Sequence, residues 1–219
     1  MFPLRDVIPS RTIPFITVTI IVLNAIAWLY ELMLPQPQLE VFLQIYGVVP
    51  AYFSAPTLIT SMFLHGSWMH VIGNMWWLWI FGDNVEDRLG HGRYLAFYLG
   101  CGIAAALGQM FIDPTSTLPT IGASGAIAGV MGAYLVLYPH SRVLTLVPII
   151  FYLEIIELPA ILLLGIWFVM QLFSAGSVAV TASTQGGGVA FMAHVAGFVV
   201  GMIGVVLLRK RRTPDLWTA

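Results

Sequence analysis

The chain has 219 residues, 59% of them hydrophobic and only 9% charged, with a formal net charge of −1. A soluble domain carries about 25% charged residues, so most of this surface faces something other than water, and the near-neutral balance excludes the broad basic face that nucleic acid needs. The only cysteine, Cys101, lies in an apolar segment, which excludes a disulfide framework and a cysteine metal site.

Apolar runs of roughly 17–25 residues are long enough to cross a bilayer. Six are present, at about 13–34, 59–82, 93–112, 122–138, 158–174 and 190–208. They predict an all-α polytopic membrane protein with six transmembrane helices, one membrane domain over 1–219 in which 209–219 is a basic tail. The start of the chain lacks the small-residue cleavage site of a secretory leader, so the first run reads as a retained span. Segment 35–57 holds Pro35, Pro37, Pro50 and Pro56 between amphipathic pieces, which predicts a connection with helices lying on the bilayer.

The fourth run is short. Ser124 to Tyr138 is 15 residues, about 22 Å at about 1.5 Å per residue, against a hydrocarbon core of about 30 Å. A helix that starts at Ser124 therefore buries that serine below the membrane surface. Segment 143–157, "VLTLVPIIFYLEIIE", has an uncharged run of 11 residues closed by Glu154. That length predicts an interfacial or re-entrant piece rather than a crossing.

Charge fixes the count of spans. With six, every Lys and Arg falls on one side: Arg5, Arg11, Arg88, Arg93, Arg142, Arg209, Lys210, Arg211 and Arg212. The positive-inside rule makes that side cytoplasmic and puts both termini there, as in a multi-pass protein of a plasma (inner) membrane. A seventh span would strand the "RKRR" tail outside.

Spans 2, 4 and 6 then begin near the outer face, which gathers His65, His70, Ser124 and His194 at one depth. His91 and His140 fall on the inner side. Polar groups within spans are costly and tend to face an interior or a wet cavity. Read singly, each has a plain packing role: Ser124 among glycines as a helix contact, His194 as an interior hydrogen bonder, His70 and Asn74 as an i,i+4 polar pair on one helical face. His65 lies about 140° around the helix from His70 and reads as structural. Gly125, Gly129, Gly197 and Gly201 follow small-xxx-small spacing, which lets helices touch.

Read together, they form a chemistry. A serine hydroxyl becomes a nucleophile when an imidazole takes its proton, and the tetrahedral oxyanion then needs donors aimed at it. Ser124 supplies the hydroxyl and a backbone N–H at a helix start, His194 the base, and His70 and Asn74 side-chain donors. No acidic third member is evident, because Asp113 before Pro114 reads as a turn residue. The sequence thus predicts a Ser–His dyad. The zinc signature H-E-x-x-H is absent, no pair of intramembrane aspartates exists, and Ala126 breaks the hydrolase elbow G-x-S-x-G. No metal and no cofactor is called for.

"HGSWMHVIGN" (65–74), "NVEDRLG" (84–90), "GASGAIAG" (122–129) and "AHVAGFVVG" (193–201) stand in the order found in the rhomboid family of intramembrane serine proteases, which the chain resembles over nearly its whole length. The resemblance implies a six-helix rhomboid-like bundle with Ser124 as nucleophile and His194 as base. It implies oxyanion stabilisation by His70, Asn74 and the Ser124 backbone, with Gly122 in the adjoining loop, and a structural pair in Glu86 and Arg88. Some members carry an aromatic ring four residues after the nucleophile, packed on the histidine; Ala128 stands there instead. The implied activity is endopeptidase cleavage of single-pass transmembrane substrates within the lipid bilayer, near the outer leaflet. Span 5 and the loop "STQGGGVA" (183–190) suit a gate and a cap, and the loop equally suits a flexible linker. Two rival readings are a catalytically silent rhomboid-like chaperone or remodelling protein and a small transporter or channel.

Overall fold

The computed structural model describes residues 1–149, 152–181 and 190–209. A short strand, β1 (Phe2–Asp6), leads to α1 (Phe15–Met33) and α2 (Gln36–Tyr46). A 3-10 turn at Pro50–Tyr52, the single turn α3 (Thr57–Thr60) and a second 3-10 turn at Ser61–Phe63 follow. Then come α4 (Trp68–Leu89), α5 (His91–Ile112) and α6 (Ser124–Leu137). Strands β2 (Arg142–Ile149) and β3 (Tyr152–Pro159) precede α7 (Ala160–Thr181) and α8 (Phe191–Leu208).

The helices carry their apolar side chains outward as well as inward. Met33, Phe111, Phe173 and Leu207 are each more than three-quarters exposed, which suits a lipid surround rather than water. Helices α1, α5 and α8 are long and apolar enough to cross a membrane by length and composition. The chain is thus a helical membrane protein.

Helix α1 begins after Pro14 with no side-chain cap of its own. Its cap comes from α4: the Glu86 carboxylate accepts the N–H groups of Ile16 and Thr17, both at 2.9 Å, and the Thr17 hydroxyl at 2.7 Å. An anion at a helix N-terminus meets the first unpaired amides and the positive end of the dipole. His91 closes the group, its Nδ1 being 2.5 Å from Glu86. Glu86 therefore holds α1 and His91, and among the described residues no ion pair joins it to Arg88. Asp87 does the same for the preceding loop, accepting the Arg11 N–H at 2.6 Å and the Thr12 N–H at 3.0 Å.

The second apolar run, expected over 59–82, opens with the short turns at Thr57–Thr60 and Ser61–Phe63; its long helix begins only at Trp68 and runs on to Leu89. It starts late because Ser67 caps it, its Oγ accepting the His70 N–H at 3.2 Å. It ends late because the carboxylates of its last turns are spent on α1 and its loop. The 35–57 connection does contain helix, in α2 and the turn at Pro50–Tyr52.

Segment 143–157, expected as an interfacial or re-entrant piece, is built of strands rather than a crossing helix. β2 and β3 form an antiparallel pair from Arg142↔Pro159 to Ile149↔Tyr152, and β1 adds to the other edge of β2 with Phe2 opposite Leu146 and Asp6 opposite Val143. The fold is mostly helical, not all-α. Val143 and Thr145 point inward and are fully buried, the period-2 alternation of a strand. The sheet is fastened to the bundle by Trp76, whose Nε1–H donates to the Pro3 carbonyl at 2.7 Å, and by Asp6, which accepts the Tyr134 hydroxyl at 2.7 Å. Burial pushes the Asp6 carboxyl above its usual range.

Helix α6 is the axis of the molecule, buried without interruption from Gly125 to Tyr134. A helix that is apolar all round belongs inside. Its tightest neighbour is α8. A methyl group added at Gly197 would run into the Gly125 carbonyl, and one at Gly201 into the Gly129 backbone. The two backbones touch with no room for a side chain, the geometry that small-xxx-small spacing permits. Gly201→Ala is therefore expected to cost about 3 kcal/mol, the upper end for overpacking, because backbone rather than a flexible side chain must yield. Gly100→Ala on α5, where a methyl meets nothing within 4 Å, is the control. Thermal unfolding of the two variants in detergent checks this; equal midpoints would remove the close-approach account.

Candidate active site

Ser124 is the first residue of α6, and the first intrahelical bond there runs from the Ile127 N–H to the Ala123 carbonyl at 3.0 Å. The amide of Ser124 thus has no partner within the helix, as the opening turn of any helix requires. His194 stands in the first turn of α8. The Gly125–Gly197 contact brings these two helix starts together, and the His194 Nε2 lies 2.8 Å from the Ser124 Oγ. His194 is 9% exposed, so the pair lies within the bundle.

The other ring nitrogen of His194 has a partner that sequence reasoning missed. Nδ1 is 2.8 Å from the side-chain oxygen of Gln171 on α7. One turn earlier, Trp167 packs its ring 5.8 Å from the imidazole and 5.9 Å from Phe198, and Phe168 stacks on Phe198 at 4.6 Å. With Ala128 fully buried on α6 and offering no ring, the aromatic packing on His194 comes from α7. The signal was the single amide in an otherwise apolar run, one turn after a tryptophan.

His70 and Asn74 rise from the first two turns of α4. The His70 Nδ1 accepts the Gly66 N–H at 3.3 Å, which leaves the proton on Nε2. That nitrogen faces Gly122: a Cβ there would sit 2.6 Å from His70 Nε2 and 3.7 Å from Asn74 Nδ2. Gly122 has φ +120°, a conformation open to glycine and strained for other residues. Its own N–H donates to the Ser61 carbonyl at 2.8 Å, so that donor is not aimed at the site. Gly122 supplies clearance and chain direction rather than a hydrogen bond. The Asn74 Nδ2 is buried with no hydrogen-bond partner among the described residues.

The remaining histidines and acids fall elsewhere. His65 precedes α4, is 1% exposed, and meets the His70 ring edge-on at 4.9 Å. Its backbone N–H donates to the buried Glu31 carboxylate at 3.2 Å. His91 and His140 stand at the opposite end of the bundle. Asp113 ends α5 and accepts its neighbour Thr115. The suggested cap, 183–190, lies outside the described residues except for Ala190.

A cavity of about 30 Å³ lies against Ser124, lined by Ser61, Thr120, Gly122 and Ala193 among others, room for one or two water molecules. A larger cavity of about 280 Å³ lies at the other end, between β1, α1 and α4, and contains none of these residues. A hydroxyl bonded to an imidazole, beside unspent donors and a water-sized space, is an arrangement that can attack a carbonyl and later hydrolyse the adduct.

A family model described as the Rhomboid domain matches residues 53–211. The chain is 29% identical over 168 residues to Rhomboid protein 1, mitochondrial, of Saccharomyces cerevisiae, covering 74% of this chain and 45% of that protein. It is 28% identical over 201 residues to Rhomboid-like protein 11, chloroplastic, of Arabidopsis thaliana, covering 85% and 66%. It is 38% identical over 85 residues to Rhomboid protease GluP of Bacillus subtilis, covering 39% and 16%. The chain therefore spans about half to two thirds of the length of the first two relatives.

Proposed function

The chain belongs to the rhomboid family, and on that premise we propose that it is an intramembrane serine endopeptidase working through a Ser124–His194 dyad. The observation that carries the reading is the 2.8 Å contact between Ser124 Oγ and His194 Nε2. Ser124 attacks a substrate carbonyl while His194 takes the hydroxyl proton. The developing oxyanion lies where His70 Nε2, Asn74 Nδ2 and the Ser124 amide can donate to it. His194 then gives its proton to the leaving amine, and water from the small cavity, activated by the same imidazole, releases the acyl group.

Substrates of this reading are single-pass transmembrane proteins whose helix unwinds locally to present an extended peptide. The bundle crosses six times, through α1, α4, α5, α6, α7 and α8. The short helix α6 starts at Ser124, below the surface of the bilayer. Both termini lie in the cytoplasm of a plasma membrane, because all nine Lys and Arg then share one side. In support, the Arg93 guanidinium donates to the Leu208 carbonyl, and the Arg142 carbonyl accepts the Val7 N–H, so these basic positions cluster at one end.

The test is cleavage of a panel of fluorescent single-pass substrates by the protein in liposomes, with mass-spectrometric mapping of the residue modified by a fluorophosphonate. Cleavage within or beside the substrate span, with the adduct on Ser124, is the expected result. Neither cleavage nor adduct would favour the catalytically silent chaperone reading instead.

A further inference from the structure

We propose that Gln171 is a neutral positioning residue for the dyad, holding His194 in the tautomer and orientation in which Nε2 accepts the Ser124 proton. This rests on the serine mechanism proposed above. For the Ser124 hydroxyl to donate to Nε2, that nitrogen must be bare, so the imidazole proton sits on Nδ1. Nδ1 lies 2.8 Å from the Gln171 Oε1, an amide oxygen that can accept and cannot ionise. The bond therefore selects the reactive tautomer. When Ser124 gives up its proton to Nε2, the imidazolium keeps its Nδ1–H on the same oxygen, and no proton passes to Gln171.

An amide suits this place better than a carboxylate. His194 is buried among apolar helices, and a second full charge there carries a large desolvation cost. The amide dipole orients the ring at a smaller cost. The placement is built rather than incidental. Trp167, Phe168 and Gln171 lie at i, i+1 and i+4 on α7, and they meet His194 and Phe198, an i,i+4 pair on α8. The rings set the spacing between the helices and the amide sets the angle of the imidazole. Gln171 is thus a positioning residue, acting on substrate only through His194. The role that an aromatic ring after the nucleophile plays in some relatives is shared here by Trp167 and Gln171.

The experiment measures the rate at which a fluorophosphonate inactivates Ser124 across a pH series, using the full chain in detergent. This readout needs no knowledge of the substrate. Four proteins are compared: wild type, Ser124→Ala, Gln171→Leu and Gln171→Glu. Gln171→Leu keeps nearly the same volume, and its inactivation rate is expected to fall about 10- to 100-fold, by analogy with groups that orient metal-bound histidines, with an unchanged thermal midpoint. Gln171→Glu keeps the acceptor, so its maximal rate stays within a few-fold of wild type. Its carboxylate stabilises the imidazolium, so the acidic limb of the profile moves up by about 1 pH unit or more. His70, the other titratable group facing His194, is unchanged in both variants. A Gln171→Leu rate within twofold of wild type, or a Gln171→Glu profile that does not move, overturns this inference while leaving the dyad in place. Labelling that persists in Ser124→Ala, or is missing from wild type, overturns the dyad and this inference with it.

Discussion

Replacing His194 by alanine is expected to lower kcat on any cleaved substrate by about 10⁴-fold, with KM little changed. The Ser124 Oγ is 2.8 Å from Nε2, and no other imidazole bonds that hydroxyl among the described residues. Without His194 the hydroxyl must surrender its proton to water inside a buried site. KM holds because the imidazole acts on the proton and does not grip the peptide. Groups that act as one unit fail as one unit, so the Ser124→Ala/His194→Ala double variant should be no slower than the worse single variant. Initial rates on a fluorescent single-pass substrate in liposomes measure this. A His194→Ala protein retaining a tenth of wild-type kcat, or a double variant far below both singles, would sink the dyad.

The features legible in the sequence are those written in local spacing. H-x-x-x-N places His70 and Asn74 on one face of α4 because four residues make about one turn. The glycines at 125, 129, 197 and 201 announce the α6–α8 contact because close backbone approach needs residues without side chains. The starts of α5, α6 and α8 follow from where apolar runs begin. What stayed hidden depends on partners far along the chain. β2 and β3 read as one apolar stretch, and nothing local reveals that β1, some 140 residues earlier, supplies the third strand. The resemblance marks Glu86 as structural, but nothing local shows that it caps α1 through Ile16 and Thr17, about 70 residues away. Gln171 is one amide in an apolar span. Only the packing of α7 on α8 shows which nitrogen it faces.

Asn74→Ala is expected to separate activity from stability. Its Nδ2 is buried and unpaired among the described residues, and it lies 3.7 Å from where a Cβ on Gly122 would stand. A buried donor without a partner costs about 1–3 kcal/mol in the resting protein. Removing it takes away that cost, which offsets the small loss of packing, and the thermal midpoint holds or rises. In the proposed mechanism the same donor meets the oxyanion, so its removal is expected to lower kcat by about 10²–10³-fold, or about 2.7–4 kcal/mol. In the same proposal His70 donates through Nε2, whose proton is fixed by the Gly66 N–H on Nδ1. The combined His70→Ala/Asn74→Ala protein should therefore fall further than either single change. Steady-state kinetics and thermal unfolding on the same preparations make the comparison. A variant that loses stability and activity in step would show Asn74 to be a structural contact of α4. A folded variant with kcat within threefold of wild type would remove it from the oxyanion site. The expected combination, an enzyme as stable as wild type and hundreds of times slower, arises only if the unpaired amide is kept for charge that appears during the reaction.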